Sequence, residues 1–112
     1  MRSKYGNIRT TIDNVSFASK REAKRYQELK LLLRAKQISQ LELQPRFELQ
    51  PSFTDGDGVK HRKIEYVADF AYRERGQHIA EDVKGKQTDV YRLKKKLFLY
   101  KFGRLYTFRE LE

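Results

Sequence analysis

An acid in the middle of an apolar strand constrains this chain more than any other feature. Residues Ile64–Arg73 read as a strand rich in aromatic and β-branched side chains, and Asp69 interrupts it within Val67-Ala68-Asp69-Phe70-Ala71. A carboxyl held out of water has to be paired, hydrogen-bonded or put to use. The return strand reads as His78–Lys84, and Glu74-Arg75-Gly76-Gln77 between them is polar and carries the glycine that a tight turn prefers. Alternation puts Asp82 and Lys84 on one face and Ile79, Glu81 and Val83 on the other. An acid in one strand and an acid–x–lysine in the next predict one cluster, a metal site with a positioned lysine.

The rest of the chain sets bounds on that cluster. With 112 residues, one domain is expected, and it has enough surface to bury for a core without staples. There is no cysteine, which excludes a disulfide framework and thiol chemistry. No apolar run is long enough for a membrane span and the start lacks a signal-peptide apolar region, so a soluble cytoplasmic protein is expected. Lys and Arg number 25 against 15 Asp and Glu, a formal charge of +10. Such a chain is expected to meet a polyanion. Nucleic acid fits better than a membrane, because no basic helix with a bulky exposed apolar face is evident.

Residues 1–13 are polar and basic, with Arg2, Lys4 and Arg9 interleaved with Tyr5 and Asn7. They read as an arm or a short edge strand, either lying along phosphates or simply a frayed terminus. A first helix is predicted over about Lys20 to Lys36, opened by a Ser19-x-x-Glu22 capping box. Its core stripe is Tyr26, Leu29 and Leu33. Glu22 lies on that stripe, either as a cap or as an acid aimed at a site. Leu41–Gln50 alternates and reads as one strand running through Pro45, which marks an edge or a bulge. Pro51 to Arg62 reads as a loop. Asp55-Gly56-Asp57-Gly58 is a turn rather than a calcium loop, since Lys60 and Tyr66 stand where glycine and glutamate would be needed.

A second helix is predicted from about Val90 to Phe102, capped by Thr88 or Asp89 and stopped by Gly103. It carries two apolar rows, one of Val90, Leu93 and Leu97 and one of Tyr91, Phe98 and Phe102. Lys94, Lys95 and Lys96 fan around it. Leu105–Phe108 is a last short strand. The order helix, three strands, helix, strand predicts an α/β (α+β) fold. In it an antiparallel meander gains a further strand after a helical crossover, giving a mixed sheet flanked by helices over residues 14–112.

Glu22, Asp69 and Asp82 are the candidate ligands of Mg²⁺, a hard ion that keeps several waters and so needs few carboxylates. Lys84 would stand by the attacking water or the scissile phosphate. The plainer alternative for Asp69, Asp82 and Lys84 is a cross-strand ion pair. His61 and His78 without cysteine make a poor zinc set. No glycine-rich phosphate loop and no acyl-transfer nucleophile motif is present, so no nucleotide cofactor is expected.

With Asp69, then twelve residues, then Asp82-Val83-Lys84, the chain resembles the PD-(D/E)XK nuclease superfamily. Ala68 stands where proline usually precedes the first acid. Glu22 matches the acid of the superfamily's first helix. The chain is similar, more closely, to a group of small phage and prophage endonucleases. The similarity lies in Lys4-Tyr5-Gly6-Asn7, in Phe17 to Tyr26, in Leu41 to Pro45, in Tyr66 to Phe70 and in Glu81 to Gly85. The resemblance implies a restriction-endonuclease-like αβββαβ core in the cytoplasm of a bacterial host. It implies hydrolysis of DNA phosphodiesters with Mg²⁺ or Mn²⁺ held by Asp69, Asp82, the Val83 carbonyl and Glu22. Lys4, Asn7, Arg9, Lys86, Lys94 and Lys95 are the candidate DNA contacts, and the resemblance implies a place for Gln44 near the metal. Relatives that resolve four-way junctions imply branched duplex as substrate and a symmetric homodimer. The competing readings are a DNA-binding module without chemistry and the nuclease subunit of a transposition complex.

Overall fold

The computed structural model describes residues 9–84 and 87–112, and within them the chain is a mixed α+β fold of two helices and several sheets. The central sheet has four strands: β3 (Ser39–Leu43), β8 (Phe70–Glu74), β9 (Gln77–Val83) and β10 (Tyr106–Leu111). Their spatial order is β10-β9-β8-β3. β8 runs antiparallel to β9 and to β3, and β10 runs parallel to β9. A parallel neighbour needs a crossover, and helix α2 (Asp89–Phe102) supplies it.

The β8–β9 hairpin turns on two residues, Arg75 and Gly76, with φ +53° and +77°. Both central positions are left-handed, the twist that suits a two-residue hairpin. The predicted turn therefore contracts from four residues to two.

Helix α1 (Lys20–Arg34) ends two residues earlier than predicted. Ser19 Oγ accepts the Glu22 N–H at 3.2 Å, as the capping box requires. Ser19→Ala is expected to cost about 1 kcal/mol, read as a lower urea midpoint at unchanged slope. Ala23, Tyr26 and Leu29 are buried, and Phe17, Ile38, Phe70, Tyr72 and Ile79 complete that core. Phe17 closes a small hairpin of β1 (Thr10–Ile12) and β2 (Val15–Phe17), so residues 10–12 form a paired strand. Leu33, expected on the core stripe, is 38% exposed. It sits in the last turn, where the helix leads out to the connection before β3.

Helix α2 covers the opposite face of the sheet. Tyr91 and Phe98 are buried with Phe47, Tyr66, Ala68 and Ala80, and Phe102 packs beside them. The aromatic row faces the sheet. Val90, Leu93 and Leu97 face outward at 63%, 59% and 39% exposure. The wider aromatic rings fill the space over the small Ala68 and Ala80, which sets the helix rotation.

The strand expected to run unbroken through Pro45 is two strands. β3 ends at Leu43, and β4 (Arg46–Gln50) pairs with β7 (Ile64–Val67) in a separate two-stranded ribbon. Gln44 at the break takes φ +52°. The predicted loop after it holds one further small ribbon, β5 (Phe53–Thr54) with β6 (Lys60–His61). Asp55 caps its turn by accepting the N–H groups of Asp57 and Val59. No helix of the described residues is long and apolar enough to cross a membrane.

Candidate functional site

Asp69 lies in a break between β7 and β8, opposite the break at Gln44 and Pro45. The two breaks are stitched together: the Gln44 N–H donates to the Asp69 carbonyl at 2.9 Å and the Ala68 N–H to the Pro45 carbonyl at 3.1 Å. Asp69's own N–H donates to the Glu81 carbonyl and to Asp82 Oδ1, each at 3.1 Å. Its Oδ2 accepts the Val83 N–H at 2.7 Å. A bent backbone thus aims the Asp69 carboxyl at the end of β9. Gln44 is exposed and reaches this site through its main chain.

Glu22 comes to Asp69 from α1. The two carboxyls are hydrogen-bonded to each other, and Glu22 also accepts a backbone hydrogen bond from Ala18. Burial, reinforced by the Asp69 charge, pushes Glu22 up to about 7. Burial raises Asp69 as well, opposed by the Val83 amide and the Lys84 charge. Glu22 is thus a partner of Asp69, and its carboxyl takes the Ala18 amide rather than the Ser19 amide that a capping box would use.

Asp82 stands on the other face of β9 and is fully buried. Its Oδ2 accepts the Tyr66 hydroxyl, and its Oδ1 lies 3.7 Å from Lys84 Nζ. Burial pushes Asp82 up to about 6, with the Lys84 charge pulling the other way. Lys84 Nζ sits 4.3 Å from the centroid of the Tyr91 ring. The Val83 peptide between them is fixed on both sides, since the next N–H, of Lys84, donates to the Leu111 carbonyl at 2.7 Å. Asp69 therefore joins Glu22, on the α1 side, to Asp82 and Lys84, on the α2 side.

Among the described residues no three His, Asp or Glu side chains converge closely enough to hold a metal ion by themselves. The close set is the pair Glu22 and Asp69. Two buried carboxyls in contact, one of them raised to about 7, carry a repulsion that a divalent cation would relieve. Magnesium needs only one or two carboxylates beside its waters, so the donor chemistry fits.

Of the candidate DNA contacts, Arg9 is exposed and donates to Ser16 Oγ at 3.0 Å. Lys94 is half-buried on α2. Lys95 is engaged: its Nζ lies 3.2 Å from Glu110, over the Phe108 ring. Lys4, Asn7 and Lys86 lie outside the described residues.

Several supporting residues carry no motif. Glu81, facing away from Asp82, is fully buried and bound by Arg25 through two bonds of 2.7 and 2.9 Å and by the Tyr72 hydroxyl at 2.6 Å. Arg109 donates to Tyr72 and to Glu74, linking β10 into the same network. One sequence signal points to Arg25: it lies three residues after Glu22, on the same helix face.

A model of a family described as a protein of unknown function, DUF1064, matches residues 2–111, and the chain belongs to that family. No curated protein and no solved structure matches it.

Proposed function

For this family member we propose a metal-dependent endodeoxyribonuclease of the PD-(D/E)XK type, acting on branched duplex DNA such as four-way junctions. The observation that carries the reading is the Glu22–Asp69 carboxyl contact beside the Asp82–Lys84 pair. The mixed four-stranded sheet, with the last strand added in parallel after a helical crossover, is consistent with it. So is the formal charge of +10.

Glu22, Asp69 and Asp82, with the Val83 carbonyl, are the residues that would hold Mg²⁺ or Mn²⁺. The ion would polarise a phosphate oxygen and acidify a bound water. Lys84 would place its charge beside the phosphate as negative charge builds on its oxygens. Asp82 holds Lys84 in place, and the Tyr66 hydroxyl fixes Asp82. Two opposed cuts in a junction would require a symmetric pair of chains.

A DNA-binding module without chemistry is the second reading. It is favoured by the lack of a three-carboxylate cluster among the described residues. Cutting of an end-labelled junction and a matched linear duplex, in Mg²⁺ and in Ca²⁺, separates the two. Paired cuts in the junction alone are expected in Mg²⁺. Binding without cuts in every metal would establish the second reading.

The carboxyl pair gives a prediction about pH. Glu22 has its folded value raised from 4.5 to about 7, so the native state holds a proton that the unfolded chain releases. Stability from this group is complete below the unfolded value and is lost as pH rises to about 7. Glu22→Gln keeps an acceptor for the Ala18 N–H. In EDTA at about pH 8 it is expected to melt above the parent by a few degrees, on the order of 1–2 kcal/mol after solvent screening. Mg²⁺ should raise the parent's melting temperature more at about pH 8 than at about pH 5. A parent melting profile that ignores both pH and Mg²⁺ would refute the assignment.

A further inference from the structure

At the far end of the sheet from the carboxylates lies an open cleft of about 510 Å³, between the C-terminal end of α1 and the β8–β9 turn. Its wall carries Lys36, Arg73 and Arg75, with Gln37 and Gln40 as neutral donors and Leu33 at one side. Among the described residues no carboxylate lines it. Neither Lys36 nor Arg75 meets an acid among the described residues, and Arg73 reaches only the Gly76 carbonyl, at 3.5 Å. Elsewhere the cations of this chain are often spent: Arg25 on Glu81, Lys30 on Asp13, Lys95 on Glu110, Arg109 on Glu74. Three cations gathered without a counter-charge repel one another, and an anion would offset that.

We infer that this cleft holds the sugar–phosphate backbone of the DNA whose scissile bond lies at Asp69 and Asp82. The inference rests on the nuclease reading for the nature of the ligand. β8 joins the two places. Arg73 is four residues from Asp69 and Arg75 six, so the cleft begins roughly 13 Å and ends roughly 20 Å along the strand. Each DNA strand carries a charge per roughly 3.4 Å of axis. The cleft would therefore meet phosphates about four to six nucleotides from the cut, within the same arm of a duplex. Arg and Lys on phosphate position the duplex without reading its bases. A neutral amide pair beside them can donate to sugar or phosphate oxygens.

The backbone permits a clean test. Lys36 and Arg75 have φ +61° and +53°, and asparagine tolerates that region better than either. Lys36→Asn/Arg75→Asn thus removes two charges without straining the fold, and it converts the hairpin turn to Asn-Gly, a favoured pair. Binding of a labelled short duplex and of a four-way junction is measured across a salt series, without divalent metal. The double variant is expected to bind at least tenfold more weakly at about 0.1 M salt, and its log–log salt slope to be shallower by roughly two. Lys60→Asn/Arg62→Asn serves as a control of equal charge loss.

An unchanged affinity and slope would overturn the inference, and so would an equal loss in the control. Tripolyphosphate binding that vanishes in the double variant while DNA binding persists would assign the cleft to a small polyanion and overturn its role with DNA. The nuclease reading fails separately, in the cutting assay, which binding without metal does not touch.

Discussion

Asp82→Asn is expected to cut DNA about a thousandfold more slowly than the parent while melting no lower. A thousandfold is on the order of 4 kcal/mol of transition-state stabilisation, the scale of losing one charged element of a metal-assisted site. The amide is nearly isosteric: its oxygen can still accept the Asp69 N–H, and its NH₂ can donate to the Tyr66 hydroxyl oxygen in place of the bond that Asp82 accepts. What it loses is the negative charge that keeps Lys84 at 3.7 Å and would face a metal ion. The direction of the stability change follows from linkage. Burial raises the folded value of Asp82 from 3.8 to about 6, so the native state disfavours the carboxylate. Stability tied to that group is lost as pH rises through about 6. At about pH 8 the neutral amide removes the penalty, and a gain on the order of 1 kcal/mol is expected in EDTA. Single-turnover cutting and thermal melts read the two quantities separately. Parental cutting by a folded Asp82→Asn protein would remove Asp82 from the chemistry.

Asp69, Asp82 and Lys84 stood out because they break the local rule that an apolar strand stays apolar. The structure gives the break a shape, a bend at Asp69 matched by one at Gln44 and Pro45. Proline signalled an irregularity there. It could not show that the strand divides between the central sheet and a separate ribbon, because that depends on hydrogen bonds that Gln44 and Pro45 make with Asp69 and Ala68, more than twenty residues further along the chain. The helices were readable from their caps and their period. Which apolar row of α2 turns inward was not, since Val90, Leu93 and Leu97 are as apolar as the aromatic row. The choice goes with Ala68 and Ala80 on the sheet, whose small side chains leave room for the aromatic rings. The cation cleft left no motif either. Lys36, Arg73 and Arg75 are ordinary in sequence and become a group only when the hairpin turn folds beside the end of α1.

Arg25 is where this hidden layer is expected to have its largest effect on stability. Glu81 is fully buried, and two bonds from Arg25 provide its charge balance, with the Tyr72 hydroxyl as the third donor. The pairing also raises Arg25 above its usual value. Arg25→Ala would leave Glu81 as an uncompensated charge in the core, which typically costs about 3–5 kcal/mol. A domain of this size has roughly 5–15 kcal/mol in total, so the variant should lose about a fifth of its stability or more and show a much lower urea midpoint. Glu81→Gln in the same chain removes the stranded charge and keeps an acceptor for Tyr72. The double variant is therefore expected to recover most of the loss, with a coupling of about 2–3 kcal/mol in a double-mutant cycle. Additive losses would mean that Arg25 stabilises α1 by packing its stem, and not by pairing. The pair matters beyond stability because Arg25 follows Glu22 by three residues on the same face of α1. The Arg25–Glu81 pair thereby ties to β9 the turn of α1 that also carries Glu22. Arg25→Ala protein that is still folded in dilute urea should accordingly show a smaller rise in melting temperature with Mg²⁺ than the parent, since its carboxyl pair is no longer held at the end of the sheet.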